Sequence, residues 1–446
     1  MALFGTDGIR GLANRDLTAE LALDVAVAAA HILIESLGST KTRPRAIVGQ
    51  DSRASGDFLE AAVIAGLTSA GVDVYRVGVL PTPAIAFLVA ESNADLGVVL
   101  SASHNPMPDN GIKIFARGGG KLDDALEIAI ENRIGEPWDR PIGKDVGRVV
   151  NDDTASESYL NHLLSTIDTQ LGGLKVVVDC ANGASSHVAP EALRRAGAEV
   201  IAISNNPNGW NINENCGSTH MESLREKVLE TSADIGIAHD GDADRCLAVD
   251  GEGNIIDGDQ IMTILAIGLK QRGLLTGNCV VGTVMSNLGF MNAMKEAEID
   301  VITTAVGDRY ILEVLKDSAC IIGGEQSGHL ILKNFANTGD GILTALALLQ
   351  EMARSGKSAA ELAGAMTKFP QVLINVGGVA KERLEKSEKI YAAVREAEAE
   401  LGDQGRVLLR ASGTEQLIRV MVEASSDSVA SSVASRLAEV VLQELG

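Results

Sequence analysis

Short β-branched runs alternate with amphipathic stretches along most of the chain. The first set is an apolar run at 46–49, a helical stretch near 58–70, then Gly71 and a second run at 72–79. The second set is 175–179, a helix near 190–196, Gly197 and 199–203; the third is 279–282, a helix near 287–296 and 299–305. Strand, helix and strand in this order build right-handed crossovers on a parallel or mixed sheet. Copies spaced by about a hundred residues predict three related α/β domains rather than one large one, because that is the usual size of a single core.

The tail carries a different pattern. It reads as a strand at 372–379, a helix of alternating charge at 387–401, strands at 406–410 and 417–424, and an amphipathic helix at 428–445. The order β-α-β-β-α predicts a small α+β domain. The expected divisions are 1–150, 151–252, 253–368 and 369–446.

Composition sharpens this picture. Of 446 residues, 46% are hydrophobic but only 3% aromatic, so the cores must be built from Ala, Val, Leu and Ile. With 38 Lys and Arg against 60 Asp and Glu, the net charge is −22. Such a surface argues against nucleic acid and anionic membranes as partners, which are held by basic patches. A local Arg cluster can still receive a small phosphorylated ligand. Cysteines 180, 216, 246, 279 and 320 are scattered without a CxxC pair, which reads as reduced thiols in a cytosolic protein. The first residues do not resemble a signal peptide, and the apolar stretch 21–34 is broken by Asp24 and His31 and too short to span a bilayer. A cytoplasmic location is expected.

Asp240, Asp242 and Asp244 lie between two apolar, strand-like runs. On an extended backbone, residues i, i+2 and i+4 share a side. Three carboxylates there repel one another unless a hard divalent cation sits among them. An EF-hand is excluded, because its sixth and twelfth positions, which need Gly and Glu, hold Arg245 and Gly251. A solvated acidic turn and an Mg²⁺-dependent phosphatase with an aspartyl nucleophile remain open alternatives.

Four further segments carry candidate chemistry. The run 96–100 ends in Ser101-Ala102-Ser103-His104-Asn105-Pro106, at the carboxyl end of a strand, where α/β proteins place ligands. Ser103 could be a nucleophile, although neighbours on a strand point oppositely and His104 need not reach its hydroxyl; a Ser/Asn/Pro turn is the alternative. In Gly323-Gly324-Glu325-Gln326-Ser327-Gly328-His329, glycines admit a ligand close to Glu325 and Ser327, or simply make a tight turn. Arg410-Ala411-Ser412-Gly413-Thr414-Glu415 joins two strands and suits an anion nest with a forked Arg, extended by Arg419; an exposed hairpin is the alternative. Near the start, Thr6-Asp7-Gly8-Ile9-Arg10-Gly11 offers a Gly-flanked Arg, while Asp51-Ser52-Arg53 and Asn110-Gly111-Ile112-Lys113 are less specific. No Walker A or Gly-x-Ser-x-Gly sequence is present, so ATP binding and serine-esterase chemistry lack support.

Taken in order, Phe4–Gly11, 101–106, 240–245, 324–329 and 410–415 resemble the α-D-phosphohexomutase superfamily over the whole chain, and its glucosamine-phosphate branch in particular. One departure is Gln416, where that family has Pro. The resemblance implies four domains around a central cleft. It implies interconversion of glucosamine 6-phosphate and glucosamine 1-phosphate, in amino-sugar metabolism that feeds cell-wall precursors, through phosphoserine at Ser103 and a sugar bisphosphate. It implies one Mg²⁺ per chain, held by Ser103, Asp240, Asp242 and Asp244, with sugar 1,6-bisphosphate as activator. Arg10, His104, Lys113 and His329 then assist catalysis. Arg245, Gly307, Asp308, Arg309, Glu325 and Ser327 read the sugar, and Arg410, Ser412, Gly413, Thr414 and Arg419 grip the phosphate that is not reacting. A phosphomannomutase or phosphoglucomutase is the nearest alternative. The partner is a small phosphosugar, with room for a homodimer.

Overall fold

The structure, a computed structural model, describes residues 3–5, 7–36, 43–412 and 416–446. The first sheet comprises β1 (Ile9–Leu12), β2 (Arg45–Gln50), β3 (Asp73–Val79), β4 (Leu96–Leu100), β5 (Asp109–Ala116) and β6 (Val149–Asn151), in the order β1-β5-β4-β2-β3-β6. The second holds β7 (Lys175–Asp179), β8 (Glu199–Ile203), β9 (Ile235–Ala238), β10 (Leu247–Asp250) and β11 (Ile255–Ile256), ordered β11-β10-β9-β7-β8. The third is β13 (Asp300–Thr304), β12 (Cys279–Thr283), β14 (Ile322–Gly324) and β15 (Leu330–Leu332), in that spatial order.

One motif recurs in all three. The neighbour orders β5-β4-β2-β3, β10-β9-β7-β8 and β15-β14-β12-β13 are the same. In each, a strand parallel to its neighbour (β4 on β2, β9 on β7, β14 on β12) turns back into an antiparallel partner (β5, β10, β15). The connections made at that reversal are residues 101–108, 239–246 and 325–329. Three of the sequence segments singled out for chemistry thus occupy one topological position in three repeats.

The cores are as aliphatic as the composition requires. Helix Ala19–Ser36 packs Ala22, Val25, Ala26, Ala29 and Leu33 against helix Gly56–Ser69 and the first sheet. Gly66 permits that approach, since a Cβ there would lie 2.6 Å from the Leu23 carbonyl. Helix Gly258–Gln271 starts at a capping box made by Asp257 and Gln260. Asp340 caps helix Gly341–Ser355, accepting from Ile342 and Leu343 N–H at 3.1 and 2.9 Å. Among the described residues no helix is long and apolar enough to cross a membrane.

Two compact units are present. One contains Met1–Thr283 and Ile302–Ala363; the other contains Val284–Val301 and Gly364–Gly446. In the second unit β16 (Gln371–Gly377), β17 (Arg406–Ala411) and β18 (Leu417–Glu423) form an antiparallel sheet ordered β16-β18-β17. Helices Glu388–Leu401 and Asp427–Leu445 pack on it through Ile390, Ala397, Val433 and Leu437 against Ile418, Val420 and Val422. The β-α-β-β-α order is as expected, but helix Leu288–Glu296 joins the unit as well. Asn287 exchanges hydrogen bonds with the Phe369 backbone, both at 3.0 Å. The buried Glu423 carboxylate accepts from Leu288 N–H at 2.9 Å and from Arg406 Nε at 2.7 Å.

The expectation of five reduced thiols is corrected for one pair. Cys279 begins β12 and Cys320 precedes its neighbour β14, which brings their Cα atoms to 5.2 Å, and they form a disulfide. Cys180, Cys216 and Cys246 are free and buried.

Candidate active site

The three reversal loops meet closely. Gly241 touches the Ser103 loop, where a Cβ would lie 2.6 Å from the Ser103 carbonyl. Gly328, at φ +90°, lies against Cys246, whose N–H donates to the Gly328 carbonyl at 3.0 Å. A residue with a side chain would be strained there, so glycine is required on both steric and dihedral grounds.

Ser103 sits just beyond β4 with φ +51°, left-handed backbone rather than strand. That conformation overturns the expectation that Ser103 and His104 point apart, and places His104 Nδ1 3.3 Å from Ser103 Oγ. The same hydroxyl donates to Asp240 Oδ2 at 2.5 Å. Ser103 is buried.

Asp240, Asp242 and Asp244 do converge, with one oxygen of each within 4.8 Å of the others. The geometry is not that of an extended strand, however. A turn closed by Ala243 N–H to the Asp240 carbonyl at 3.1 Å, with Ala243 at φ +56°, gathers them. All three are buried, and Asp242 Oδ1 and Asp244 Oδ1 accept no hydrogen bond. Burial, then Asp244 and Asp242, push the Asp240 carboxyl up to about 8. Buried carboxylate oxygens without hydrogen-bond donors, beside a carboxyl driven toward its neutral form by burial and its neighbours, fit a divalent cation, and an all-oxygen set suits Mg²⁺.

Around this triad runs a closed ring of alternating acidic and basic side chains, in which His329 Nε2 also accepts the Gly339 N–H at 3.2 Å. Lys113 Nζ bridges Asp7 Oδ2 at 2.7 Å and Asp244 Oδ2 at 3.8 Å, with a branch to Asp242 Oδ2 at 2.8 Å. His329 lies between Asp244 (Nδ1, 3.5 Å) and Asp308 (Nε2, 3.6 Å). Lys121 closes the circuit from Asp308 to Asp7, the latter at 2.5 Å. Isolated buried charges cost several kcal/mol each, and alternation removes most of that cost. Burial alone would discharge Lys113, but Asp242, Asp7 and Asp244 outweigh it and hold the ammonium well above its usual range. Burial lowers the pKa of His329 too, yet Asp244 and Asp308 leave it raised. For His104 burial wins, helped by Arg245 and Arg10, and the imidazole falls to about 4.

A cavity of about 440 Å³ opens over the ring, lined by Arg10, Ser103, His104, Arg245, Gly307, Asp308, Glu325 and His329 among others. Glu325 Oε1 accepts from Gly307 N–H at 3.0 Å, which fixes the two expected sugar-facing loops against each other. A larger cavity of about 720 Å³, lined by Arg117, Lys121, Arg309 and Lys316, touches neither Ser103 nor the triad, so the chemistry selects the smaller.

Most of the expected residues therefore line or underlie one cavity. Two do not. Arg309 lines the larger cavity and forms ion pairs with Asp124 and, at 2.9 Å, with Glu127. Ser327 is absent from the cavity wall. Arg410 and Arg419 oppose each other across β17 and β18, and Ser412 N–H donates to the Leu417 carbonyl at 2.9 Å; Thr6, Gly413 and Thr414 lie outside the described residues. Sequence reasoning missed Lys121, Asp7 as a charge partner, and Thr82, whose hydroxyl and amide hold Asp242 at 2.7 and 3.0 Å.

A loop serine facing a carboxylate triad, in the first of three repeats, defines a phosphoryl-transferring enzyme of the phosphohexomutase kind. Comparison with known proteins agrees. Four descriptions of phosphoglucomutase/phosphomannomutase match in tandem: α/β/α domain I over 1–138, domain II over 157–253, domain III over 257–369 and the C-terminal domain over 373–440. A phosphoglucosamine mutase of Thermobifida fusca is 60% identical over 99% of this chain and 98% of its own. One of Saccharopolyspora erythraea is 60% identical over 98% of each. Among solved structures, a phosphoglucomutase/phosphomannomutase family protein of Burkholderia thailandensis superposes with TM-score 0.82 at 23% identity, covering 100% of this chain and 98% of that one. An Aspergillus fumigatus N-acetylphosphoglucosamine mutase, solved with GlcNAc-6P and magnesium, shares the fold at TM-score 0.72 and 18% identity, over 98% and 95%. The chain belongs to the phosphoglucosamine mutase family of the phosphohexomutase superfamily.

Proposed function

We propose that the protein interconverts glucosamine 6-phosphate and glucosamine 1-phosphate, an intramolecular phosphoryl transfer of the isomerase class, with Ser103 as the phosphoryl carrier. The observation that carries this reading is the Ser103 hydroxyl donating to Asp240 at 2.5 Å inside a triad with orphaned oxygens. Phospho-Ser103 gives its phosphoryl group to the free sugar hydroxyl, making the 1,6-bisphosphate; the sugar turns over, and its other phosphoryl returns to Ser103. Bisphosphate that escapes leaves Ser103 bare, which is why free bisphosphate acts as activator. Asp240, Asp242, Asp244 and the Ser103 phosphoryl group would hold Mg²⁺, which would supply stabilisation of the charge spread in the transition state.

The chain's own groups divide the remaining work. Lys113, held as an ammonium by Asp242, Asp7 and Asp244, neutralises charge beneath the cavity. His329, whose basicity is raised, and Arg10 face the cavity and meet the alcohol proton and the phosphoryl charge. His104 is neutral because burial lowers it to about 4, and since the Ser103 hydroxyl donates its one proton to Asp240, His104 Nδ1–H is the donor of the 3.3 Å contact to Ser103 Oγ. Glu325 is the group suited to the cationic amino substituent. Leaving such a partner unmatched costs about 1–3 kcal/mol, or roughly ten- to a hundredfold in specificity. The alternative with an aspartyl nucleophile fits less well, because Asp242 is engaged by Thr82 and Lys113 and Asp240 by Ser103.

Phosphopeptide mapping of the purified protein, followed by assay on glucosamine, glucose and mannose phosphates, tests the reading. Phosphate on Ser103 and highest kcat/KM on glucosamine phosphate are expected. An acid-labile phosphate on aspartate overturns the carrier, and a preference for glucose or mannose phosphate overturns the sugar.

A further inference from the structure

One buried cation belongs to none of the roles above. Arg53, from the sequence segment that carried no specific signal, has a side chain with no solvent exposure. All five of its guanidinium N–H donors are used. Nε donates to Asp51 Oδ2 at 3.0 Å. The other four go to main-chain carbonyls of one loop: Pro106 at 2.6 Å, Asp109 and Ser103 at 3.0 Å, and Asn105 at 2.8 Å.

Asp51 extends the grip to the other side of the loop. Its Oδ2 accepts from Ser101 Oγ at 2.6 Å, and Ser101 Oγ accepts the Ser103 N–H at 2.9 Å. Both main-chain groups of Ser103 are thus fixed by one Arg53–Asp51 unit. Asn213, from the second repeat, adds a donor to the Ser103 and Asn105 carbonyls at 2.9 and 3.0 Å. A serine at φ +51° is held in a sparsely populated conformation, which persists only where its surroundings over-determine it.

We infer that Arg53 is a positioning residue for phosphoryl transfer: it fixes the left-handed backbone at Ser103 so that Oγ is aimed at the metal triad. The inference rests on Ser103 being the carrier. Without the clamp, Ser103 relaxes toward ordinary backbone, and its Oγ swings away from Asp240. Lysine cannot substitute, because three donors around a point charge do not match five acceptors in a planar fork.

The test begins with phosphopeptide mapping of the wild-type enzyme; an active enzyme without phosphate on Ser103 refutes the carrier reading separately. With the carrier confirmed, Arg53→Lys is compared in steady state, in single turnover from isolated phosphoenzyme, and in Mg²⁺ titration. The expected result is a folded protein with KM and Mg²⁺ affinity within about threefold of wild type, and kcat and single-turnover rate reduced roughly a hundredfold, as a small misplacement of reacting atoms produces. Wild-type kcat in folded R53K overturns the inference, and so does a loss confined to KM or thermal stability. Should R53K not fold, Ser101→Ala decides, since it removes only the hydroxyl linking Asp51 to the Ser103 amide. A kcat reduced about tenfold at unchanged KM supports the inference, and a wild-type kcat overturns it.

Discussion

Arg410 and Arg419 stand directly opposite each other on the antiparallel ladder of β17 and β18, so their side chains share one face. Like charges in that position destabilise a sheet unless an anion lies between them. Burial first, and Arg419 second, lower the pKa of Arg410. We propose that a substrate phosphate is the anion this pair receives. Arg410→Ala is therefore expected to raise KM by roughly ten- to a hundredfold, the equivalent of a charge-assisted hydrogen bond of about 1.5–3 kcal/mol. It should also increase the dependence on added sugar bisphosphate, with Ser103 phosphorylation unchanged by mass. Unaltered KM and bisphosphate dependence would reduce Arg410 to a hairpin residue.

Ser103→Ala is expected to abolish turnover with little change in Tm. The hydroxyl is buried, but what it contacts is a polar loop, so no core packing is lost. Activity near wild type in this variant is incompatible with a seryl carrier.

Removal of divalent ions should stop the reaction, and Mg²⁺ should restore it better than Ca²⁺, because the smaller ion holds tighter octahedral geometry. Equal restoration by both ions would speak against Mg²⁺ as the working cofactor.

Lys113→Met should be strongly destabilising, not merely inactive. It leaves the buried Asp242 carboxylate without its ammonium partner, while Asp7 keeps Lys121 and Arg10. Breaking such a pair costs about 3–5 kcal/mol. A denaturation midpoint equal to wild type would show that the ring contributes charge balance and no stability.

Asp340 gives a pH-dependent prediction. Burial is the main cause that pushes its carboxyl up to about 6. A group whose folded pKa lies above its unfolded value stabilises fully below the unfolded pKa, near 4, and that contribution disappears as pH rises through 6. A shift of about two units corresponds to ~3 kcal/mol. Asp340→Asn cannot ionise, so its Tm relative to wild type should improve between pH 4 and 7. A difference that stays flat across that range contradicts the assignment.

Local pattern carried much of this architecture. Strands β4, β7 and β8 have the limits expected from their β-branched runs, because hydrophobic alternation and flanking glycines are short-range signals. The spacing of Asp240, Asp242 and Asp244 pointed to a cation for the wrong geometric reason: a turn, not an extended strand, gathers them. Thr82, Asp7, Lys121 and Arg53 were not legible as site residues, since their significance lies in partners far along the chain, such as Asp242 for Thr82 and Asp308 for Lys121. The Cys279–Cys320 bond is of the same kind, created by strand adjacency that spacing alone does not encode.

The membership of helix Leu288–Glu296 in the tail's compact unit bears on how this protein can be taken apart. The chain passes into that unit, leaves it, and returns at Gly364. A gene cut after Ala363 would not excise a module. It would strand Asn287 without the Phe369 backbone that it clasps, and Leu288 without the Glu423 carboxylate. A chimera that exchanges the tail and keeps these contacts must therefore exchange 284–301 with it, which takes two splice sites more than the linear order of its domains suggests.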